Sequence, residues 1–372
     1  MNQGGFMQIK KLFFLMLLFV TYINVSFLYS NEISNSRENT ITAELLSPGD
    51  QAVIKLLTPE QEQFFADPMR KVPHKLELTP RKKDLSIPEP VIFRWKSLSS
   101  VSTLQITRKK DFSILDYNIV AKGKNQTFHV PIYQLHCGTT YYWRVKTDRD
   151  FSPVQTFTTD VRLPRMIYLP GVTNVRDMGG WQSCYGGKSR YGMVYRGGGM
   201  DKITEEGRRI FLKDLKIRTE LDLRKRGTNI FSKDDVVYYK YVNSAYATWK
   251  REGVFTPDQL ANMKEIFGLL AKKETYPVYI HCAGGGDRTG TLAYLLGMVL
   301  GMEEQDLLDD YEISNLSVSG ERHRYSQVWI KFMERLDTYK GATRRERVES
   351  YLYSCGITKE NLEQIRNILL EK

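Results

Sequence analysis

Apolar and polar positions follow different patterns in the two halves of the chain. Between residues 42 and 160, short alternating or β-prone runs are separated by polar and proline-rich stretches. The clearest runs lie at 91–95, 104–107, 127–131, 140–145 and 154–158. Strands at such intervals, with turn signals between them, are typical of a β-sandwich. We therefore predict an all-β domain over 42–160, with Trp95 and Trp143 in its core.

The pieces PVIFRW, TYYWRVKTD and VQTFTTD resemble a fibronectin type III or related immunoglobulin-like domain. This resemblance implies a fold and no chemistry, because one fold carries many functions. A spacer is the favoured role, and an accessory binding surface is the alternative. The stretch 58–90 inside this region is rich in proline and charge, and we predict a long insertion or loop there.

The second half contains a segment that predicts a strand, a glycine-rich turn and a buried helix in that order. The β-prone run at 278–280 is followed by Cys282, by three glycines at 284–286 and by the apolar TLAYLLGMVL. Backbone N–H groups of such a turn converge on one point, where the helix dipole adds positive potential. A phosphate oxyanion fits there, and the same field stabilises a cysteine thiolate as a nucleophile.

The residues of this turn have separate predicted tasks. Cys282 attacks phosphorus, and the planar fork of Arg288 binds two phosphate oxygens. Thr289 presents a hydroxyl to the sulfur, and His281 orients the loop. The predicted phosphate-binding residues are Ala283, Gly284, Gly285, Gly286, Asp287 and Arg288.

HCAGGGDRTG matches the Cys-x5-Arg signature of the protein tyrosine phosphatase superfamily. With NVRDMGG at 174–180, VYR at 194–196 and IRTELDLR at 217–224, it resembles the bacterial tyrosine/serine phosphatase family, whose loop reads HC-x-x-G-x-DRTG. The similarity covers about residues 163–372. It implies an α/β domain with a central, mostly parallel sheet flanked by helices, and hydrolysis through a phosphocysteine without a metal or cofactor.

A second Cys-x5-Arg spacing occurs in CYGGKSR at 184–190. No apolar strand precedes Cys184, and no helical run follows Arg190. We therefore predict a hairpin loop there, leading to a strand at 193–195, and not a second active site.

Two aspartates are candidates for the general acid that gives a proton to the leaving oxygen. Asp287 lies inside the loop, and the resemblance implies that it is the acid and base; a rigid hydrogen-bond brace is its alternative role. Asp222 ends a strand-like run, where the sites of α/β proteins collect, and a salt-bridged structural role is its alternative. Asp258 is predicted to lie at a helix start, and Arg176 and Asp177 are predicted to be architectural.

One position departs from the family pattern. Many members carry Lys immediately before the loop aspartate, where this chain has Gly286. A Lys there would add charge for polyanionic headgroups, so its absence favours phosphoprotein or small phosphomonoester substrates. Inositol phosphates remain an alternative if Lys188, Arg190 and Arg196 line the entrance; a solvated basic face is the other interpretation of these three residues.

The length and composition of the chain limit the classes of partner and cofactor that we expect. The 372 residues suit two domains, and the net charge of +11 favours anionic partners. No long block of like charge indicates a nucleic-acid arm. The five histidines lack metal-ligand spacing, so no metal is predicted. If Cys282 stays free, Cys137, Cys184 and Cys355 form at most one disulfide.

The N-terminus predicts export. Lys10 and Lys11 precede an apolar run at 12–20, which is short for a membrane span and typical of a signal peptide. We predict cleavage near Ser30, no stable membrane span afterwards, and a periplasmic or secreted protein; an uncleaved anchor is the alternative. The predicted layout is a signal at 1–30, a sandwich at 42–160 and a catalytic domain at 163–372.

The sequence thus predicts an exported phosphatase. Phosphotyrosine in proteins is the first-choice substrate, with phosphoserine or phosphothreonine next. A cysteine phytase-like activity on inositol polyphosphates is the enzymatic alternative. A catalytically silent phosphate-binding or adhesion protein is the alternative of another class.

Overall fold

The computed structural model describes residues 43–68, 84–242, 256–317 and 322–371. They form an N-terminal β-rich region and a C-terminal mixed α/β region. The signal segment predicted at 1–30 lies outside the described residues. Among the helices of the described ranges, none is long and apolar enough to cross a membrane.

The N-terminal region consists of two sheets that share one core. The first contains β1 (Ala43–Ser47), β3 (Val91–Ser97) and β6 (Gln126–Ile132) in the order β1-β3-β6. The second contains β2 (Ala52–Ile54), β4 (Val101–Thr107), β5 (Tyr117–Lys122), β7 (Thr140–Thr147) and β8 (Gln155–Thr159) in the order β2-β8-β7-β4-β5. Phe93 of the first sheet packs edge-on against Trp143 of the second, with ring centroids 5.1 Å apart. Trp95 and Trp143 are buried, as predicted.

The predicted loop at 58–90 contains a helix, α1 (Pro59–Ala66). Its start carries a capping box, in which Thr58 and Gln61 exchange side-chain and backbone hydrogen bonds. Phe64 of α1 and Leu85 pack into one apolar cluster with Ile313 of the C-terminal region. The prediction of a loop was therefore wrong for residues 59–66. It was based on the proline and charge content of the whole segment and did not take account of the capping box at Thr58 and Gln61.

The C-terminal region is built on a six-stranded sheet in the order β13-β12-β14-β11-β10-β9. The strands are β9 (Arg165–Met166), β10 (Arg176–Asp177), β11 (Val194–Gly197), β12 (Thr219–Asp222), β13 (Val237–Lys240) and β14 (Val278–His281). The four strands from β13 to β11 pair in parallel, and β10 and β9 add antiparallel pairs at one edge. A central, mostly parallel sheet is what the sequence predicted.

Helices cover this sheet. They are α2 (Glu205–Arg209), which continues into a π-helical turn (Ile210–Asp214), α3 (Pro257–Leu270), α4 (Asp287–Val299), α5 (Glu304–Glu312), α6 (Gln327–Asp337), α7 (Arg344–Ser354) and α8 (Lys359–Leu369), with short 3-10 turns at Lys273–Thr275 and Ile313–Leu316. Asp258 lies in the first turn of α3 behind the N-cap Thr256, as predicted. Helix α4 is buried from Thr289 to Val299 and fixes the loop that precedes it.

Candidate active site

The phosphate loop, residues 282–288, lies at the carboxyl edge of the parallel strands. His281 ends β14 between Gly197, which ends β11, and Asp222, which ends β12. Cys282 follows at once and is 3% exposed. Helix α4 begins at Asp287, and its N-cap Gly286 makes no side-chain capping bond. The first amides of α4 are therefore left without a side-chain cap at the end of the helix that attracts anions.

Four consecutive carbonyl oxygens of this loop, those of residues 282–285, each face a nitrogen on the outer side of the loop. The nitrogens are His281 Nδ1 for Cys282 (3.3 Å), the Gly199 amide for Ala283 (2.9 Å), Asn174 Nδ2 for Gly284 (3.0 Å) and Arg196 Nη2 for Gly285 (2.8 Å). In a trans peptide the carbonyl and the following N–H point in opposite directions. The amides of residues 283–286, which we call the amide nest, therefore face inward.

Gly285 shows why this turn requires glycine. Its φ of 72° lies in the left-handed region, which residues with a Cβ atom rarely adopt. A Cβ atom at this position would lie 2.4 Å from the carbonyl carbon and oxygen of Gly197. The close approach of the loop to β11 lets Arg196 reach the Gly285 carbonyl.

A buried ion cluster stands behind the loop. Asp310 of α5 accepts from the guanidinium groups of both Arg176 (2.6 Å, Nε to Oδ1) and Arg196. Burial would raise the pKa of Asp310, but the two arginines lower it on balance. Burial and the neighbouring Arg176 lower the pKa of Arg196 to about 10. Arg176 is thus architectural, as predicted, whereas Arg196 neither lines an entrance nor joins a solvated face: it is fully buried and holds the loop.

Arg288 is anchored to the edge of β12. Its Nη1 donates to the Leu223 carbonyl at 2.9 Å. Within the described part of the chain this is the one hydrogen bond of its guanidinium group to protein, so most of its five N–H donors remain for a phosphoryl group. The bond orients a planar fork next to the amide nest.

His281 belongs to a buried group with Glu220 and Asp222. Its Nε2 lies 2.8 Å from Glu220 Oε1, and its Nδ1 lies 3.9 Å from Asp222 Oδ1. These three side chains have metal-ligand atoms within 4.8 Å of one another. Asp222, however, already accepts from both Arg224 Nε (2.9 Å) and Arg224 Nη2 (3.0 Å). A guanidinium in that position does not fit a cation site, so the group orients His281 beneath the loop.

Asp222 is held as a carboxylate. Besides Arg224, it accepts from the Tyr238 hydroxyl at 3.0 Å and is fully buried. Burial would raise the pKa of Asp222, but the Arg224 hydrogen bonds and the nearby His281 lower it on balance. Such a group suits a structural ion pair, the alternative role considered above, better than proton donation.

Asp287 is the more accessible aspartate. Its side chain is 27% exposed, and its Oδ2 accepts from Arg322 Nη2 at 2.7 Å. Arg322 also lies beside Gly286, where a Cβ atom would be 3.2 Å from its Nε. Arg322 was not predicted from the sequence, because nothing in its local sequence connects it with a loop that lies more than 30 residues earlier in the chain.

The remaining predicted residues are placed as follows. The hydroxyl of Thr289 is buried and has no hydrogen-bond partner within the described ranges, so no bond to the Cys282 sulfur is formed.

Cys184 is exposed, in a loop closed by an antiparallel pair between Gln182 and Lys188, as predicted. All four cysteines are free thiols. Burial raises the pKa of Cys137 to about 12.

Comparison with known proteins places this loop in a family. A model of the tyrosine phosphatase family matches residues 167–371. The core catalytic domain of the PP-IP phosphatase Siw14 from S. cerevisiae, in complex with citrate, is 16% identical, with 42% of this chain and 80% of that chain covered and a TM-score of 0.28. A second structure of the Siw14 catalytic core is 15% identical, with 42% and 85% covered and a TM-score of 0.29.

Comparison with curated proteins gives no match. The family match spans more than half of the chain. It includes Cys282, the amide nest and Arg288. The chain therefore belongs to the tyrosine phosphatase family.

Proposed function

We propose that this protein hydrolyses phosphomonoesters through a phosphocysteine, with phosphotyrosine in proteins as its first substrate and phosphoserine or phosphothreonine next. The observation that carries the proposal is the set of four braced carbonyls, which turns the amide nest toward the position in front of Cys282. Arg288 completes that ring of donors.

In the first step, the Cys282 thiolate attacks phosphorus. The S–P bond forms while the P–O bond breaks, and Asp287 gives its proton to the leaving oxygen. The amide nest and Arg288 bind the equatorial oxygens, where negative charge is concentrated.

In the second step, water attacks the phosphocysteine. Asp287 takes a proton from that water, the P–O bond forms and the S–P bond breaks to return the thiolate. The buried Thr289 hydroxyl, which makes no other bond within the described ranges, is available to the departing sulfur. Phosphate then leaves the amide nest.

Asp287 fits the acid role better than Asp222. Asp287 begins α4 and is partly exposed, so a leaving group can reach it. Asp222 is buried and accepts three hydrogen bonds from Arg224 and one from Tyr238. Arg322 Nη2 donates to Asp287 Oδ2 at 2.7 Å and so positions this carboxyl group at the start of α4.

A leaving-group comparison separates the two aspartates. Phenyl phosphate needs a proton at its leaving oxygen, whereas p-nitrophenyl phosphate needs much less help. We expect Asp287→Asn to lower kcat on phenyl phosphate by about 100-fold and on p-nitrophenyl phosphate by far less. Asp222→Asn, if structural, lowers both rates equally; a selective loss in that variant would instead identify Asp222 as the acid.

A substrate panel tests the proposed function itself. Phosphate release is measured from a phosphotyrosine peptide, a phosphoserine peptide, phosphoinositide vesicles and inositol hexakisphosphate. The highest kcat/KM is expected on the phosphotyrosine peptide. Turnover of none of them would favour the silent binding protein.

The second candidate is hydrolysis of inositol polyphosphates, and Arg322 is the observation that favours it. Its guanidinium lies beside Gly286 and Asp287, so this loop has a cation next to it although it lacks the family lysine. If inositol polyphosphates are substrates, Arg322→Gln lowers kcat/KM on inositol hexakisphosphate more than on the phosphotyrosine peptide. Arg149→Gln, an exposed change in the sandwich region, is the matched control and should change neither.

Export is the last part of the proposal. The basic residues and apolar run at the N-terminus support it. Fractionation of expressing cells, followed by N-terminal sequencing of the exported protein, should give a chain that begins near residue 31. Full-length protein held in the membrane fraction would favour the uncleaved anchor.

A further inference from the structure

We infer that Asp84 and Ser86, which belong to the N-terminal half of the chain, are positioning residues for the phosphate loop. The inference rests on the proposed phosphatase function, because the loop it concerns is the proposed catalytic loop. It gives the N-terminal half a part in the active site, whereas the sequence favoured a spacer.

A short relay of hydrogen bonds connects Ser86 with the loop. The Asn174 amide donates to Ser86 Oγ at 2.9 Å. The Asn174 side chain in turn donates from Nδ2 to the Gly284 carbonyl at 3.0 Å and to Ser314 Oγ at 3.1 Å. Ser86 is 2% exposed and Asn174 is fully buried, so water does not replace these bonds. One residue, Asn174, therefore connects Ser86 of the N-terminal half with Gly284 of the amide nest.

Asp84 fixes the orientation of the Ser86 hydroxyl. Its Oδ1 accepts from the Ser86 hydroxyl at 2.6 Å and from the Ser86 amide at 2.9 Å. Because a hydroxyl has a single hydrogen, the one on Ser86 is committed to Asp84. The lone pairs of the Ser86 oxygen are then left for the backbone N–H of Asn174, which can only donate.

Asn174 depends on this support. Its φ of 60° lies in the left-handed region, which costs a non-glycine residue free energy and is met most often in Asn and Asp. Arg176 Nη1 donates to Asn174 Oδ1 at 2.6 Å and so fixes which end of the side-chain amide faces Gly284. Ser86 holds the backbone of Asn174 while Arg176 holds its side chain.

The segment that carries Ser86 is itself anchored in the C-terminal region. The Leu85 amide donates to the Leu316 carbonyl at 2.9 Å, and Gln61 Nε2 of α1 donates to the Leu85 carbonyl at 2.9 Å. Leu85 also packs with Ile313 and Leu316. These contacts hold Ser86 in place at the same time as they join the two halves.

The test compares Ser86→Ala with a matched serine. Ser102 is 1% exposed in the sandwich core and accepts a hydrogen bond from Trp95 Nε1 at 3.0 Å, but it has no link to the loop. We expect Ser86→Ala to lower kcat by about tenfold, as the loss of one buried hydrogen bond would, with a smaller change in KM. Ser102→Ala should keep the wild-type kcat even where both variants lose thermal stability.

Conservative and second-site variants keep the test decisive. Ser86→Thr restores the hydroxyl and should recover most of the lost kcat. If Ser86→Ala fails to fold, Asp84→Ala takes its place, because it frees the Ser86 hydroxyl to rotate and should also lower kcat. A kcat within twofold of wild type in the folded variant, or an equal loss in Ser102→Ala, would overturn the inference.

Tungstate binding separates this inference from the proposed function. Calorimetry of tungstate with the full chain measures anion binding to the amide nest without turnover. Weaker tungstate binding in Ser86→Ala than in Ser102→Ala is expected. If the wild-type chain hydrolyses nothing and this difference is still seen, the phosphatase proposal fails and the positioning role stands; equal binding in both variants would overturn the positioning role.

Discussion

The chain contains the same Cys-x5-Arg spacing twice, and the two copies have different surroundings. Cys282 follows a buried parallel strand, and Arg288 lies in the first turn of a buried helix. Cys184 is exposed in a loop that an antiparallel pair closes, and no helix follows Arg190. The spacing alone therefore does not define the proposed anion site, because only the copy at Cys282 has a buried strand directly before it and a helix that begins within it.

The two copies also differ in what lies behind them. The carbonyls of residues 282–285 are held from outside by four separate groups, and this turns the amides inward. In the other copy, the Ser183 amide donates to the Gly187 carbonyl and the Gly186 amide donates to the Ser183 carbonyl, so those bonds close the turn on itself. An amide that is used inside its own turn cannot bind phosphate.

Replacement of each of the two cysteines by serine should give the largest difference in kcat between the two copies. We expect Cys282→Ser to lower kcat on the order of 10⁴-fold, because serine is a much weaker nucleophile at neutral pH, while the amide nest still binds tungstate. Cys184→Ser should keep wild-type kcat and KM. Phosphate release and trapping of the phosphoenzyme measure both. A phosphoenzyme that survives in Cys282→Ser but is lost in Cys184→Ser would reverse the assignment.

Replacement of each of the two arginines by lysine should give the next largest difference in kcat. Arg288→Lys keeps the charge but loses the planar fork, so we expect kcat to fall by about 100- to 1,000-fold. Arg190→Lys should leave kcat within twofold of wild type, since Arg190 lies in the hairpin loop. Steady-state kinetics on phenyl phosphate checks both variants. Comparable losses in the two would mean that the hairpin loop also touches the substrate.

The sequence predicted those parts of the site that are close together in the chain. The strand before Cys282, the glycine turn and the helix after it follow one another, so local pattern and composition were enough. The helix start predicted at Asp258 was also confirmed, because its cap, Thr256, is a close neighbour in the sequence.

The sequence could not predict the groups that reach the loop from elsewhere. Asn174, Gly199 and Arg196 come from distant segments and meet the loop only after the sheet has formed. Arg196 is the clearest case, since a lone arginine is normally exposed, whereas here Asp310 and the Gly285 carbonyl pair with its buried guanidinium group. The ion pair between Arg322 and Asp287 is hidden from the sequence for the same reason.

Replacement of Gly186 or Gly285 by alanine should give the smallest difference, which is measured in the free energy of unfolding. It tests how the phosphate loop packs against β11. Gly186 has a φ of 90° and open space where a Cβ would lie, so Gly186→Ala should lower the free energy of unfolding by about 1–2 kcal/mol, the cost of the left-handed backbone. Gly285→Ala has the same backbone cost and adds a 2.4 Å approach to Gly197. Its loss should therefore be larger, by about 1–3 kcal/mol on the scale of overpacked cores.

Urea unfolding of the two glycine variants measures this difference, and tungstate binding gives a second readout. Gly285→Ala should also weaken tungstate binding, because a shifted Gly285 carbonyl loses Arg196 and turns the next amide away from the nest. Gly186→Ala should bind tungstate like the wild type. Equal stability losses, with unchanged tungstate binding in both, would mean that the loop can move away from β11 without losing its amides, and that the brace from Arg196 does not set their direction.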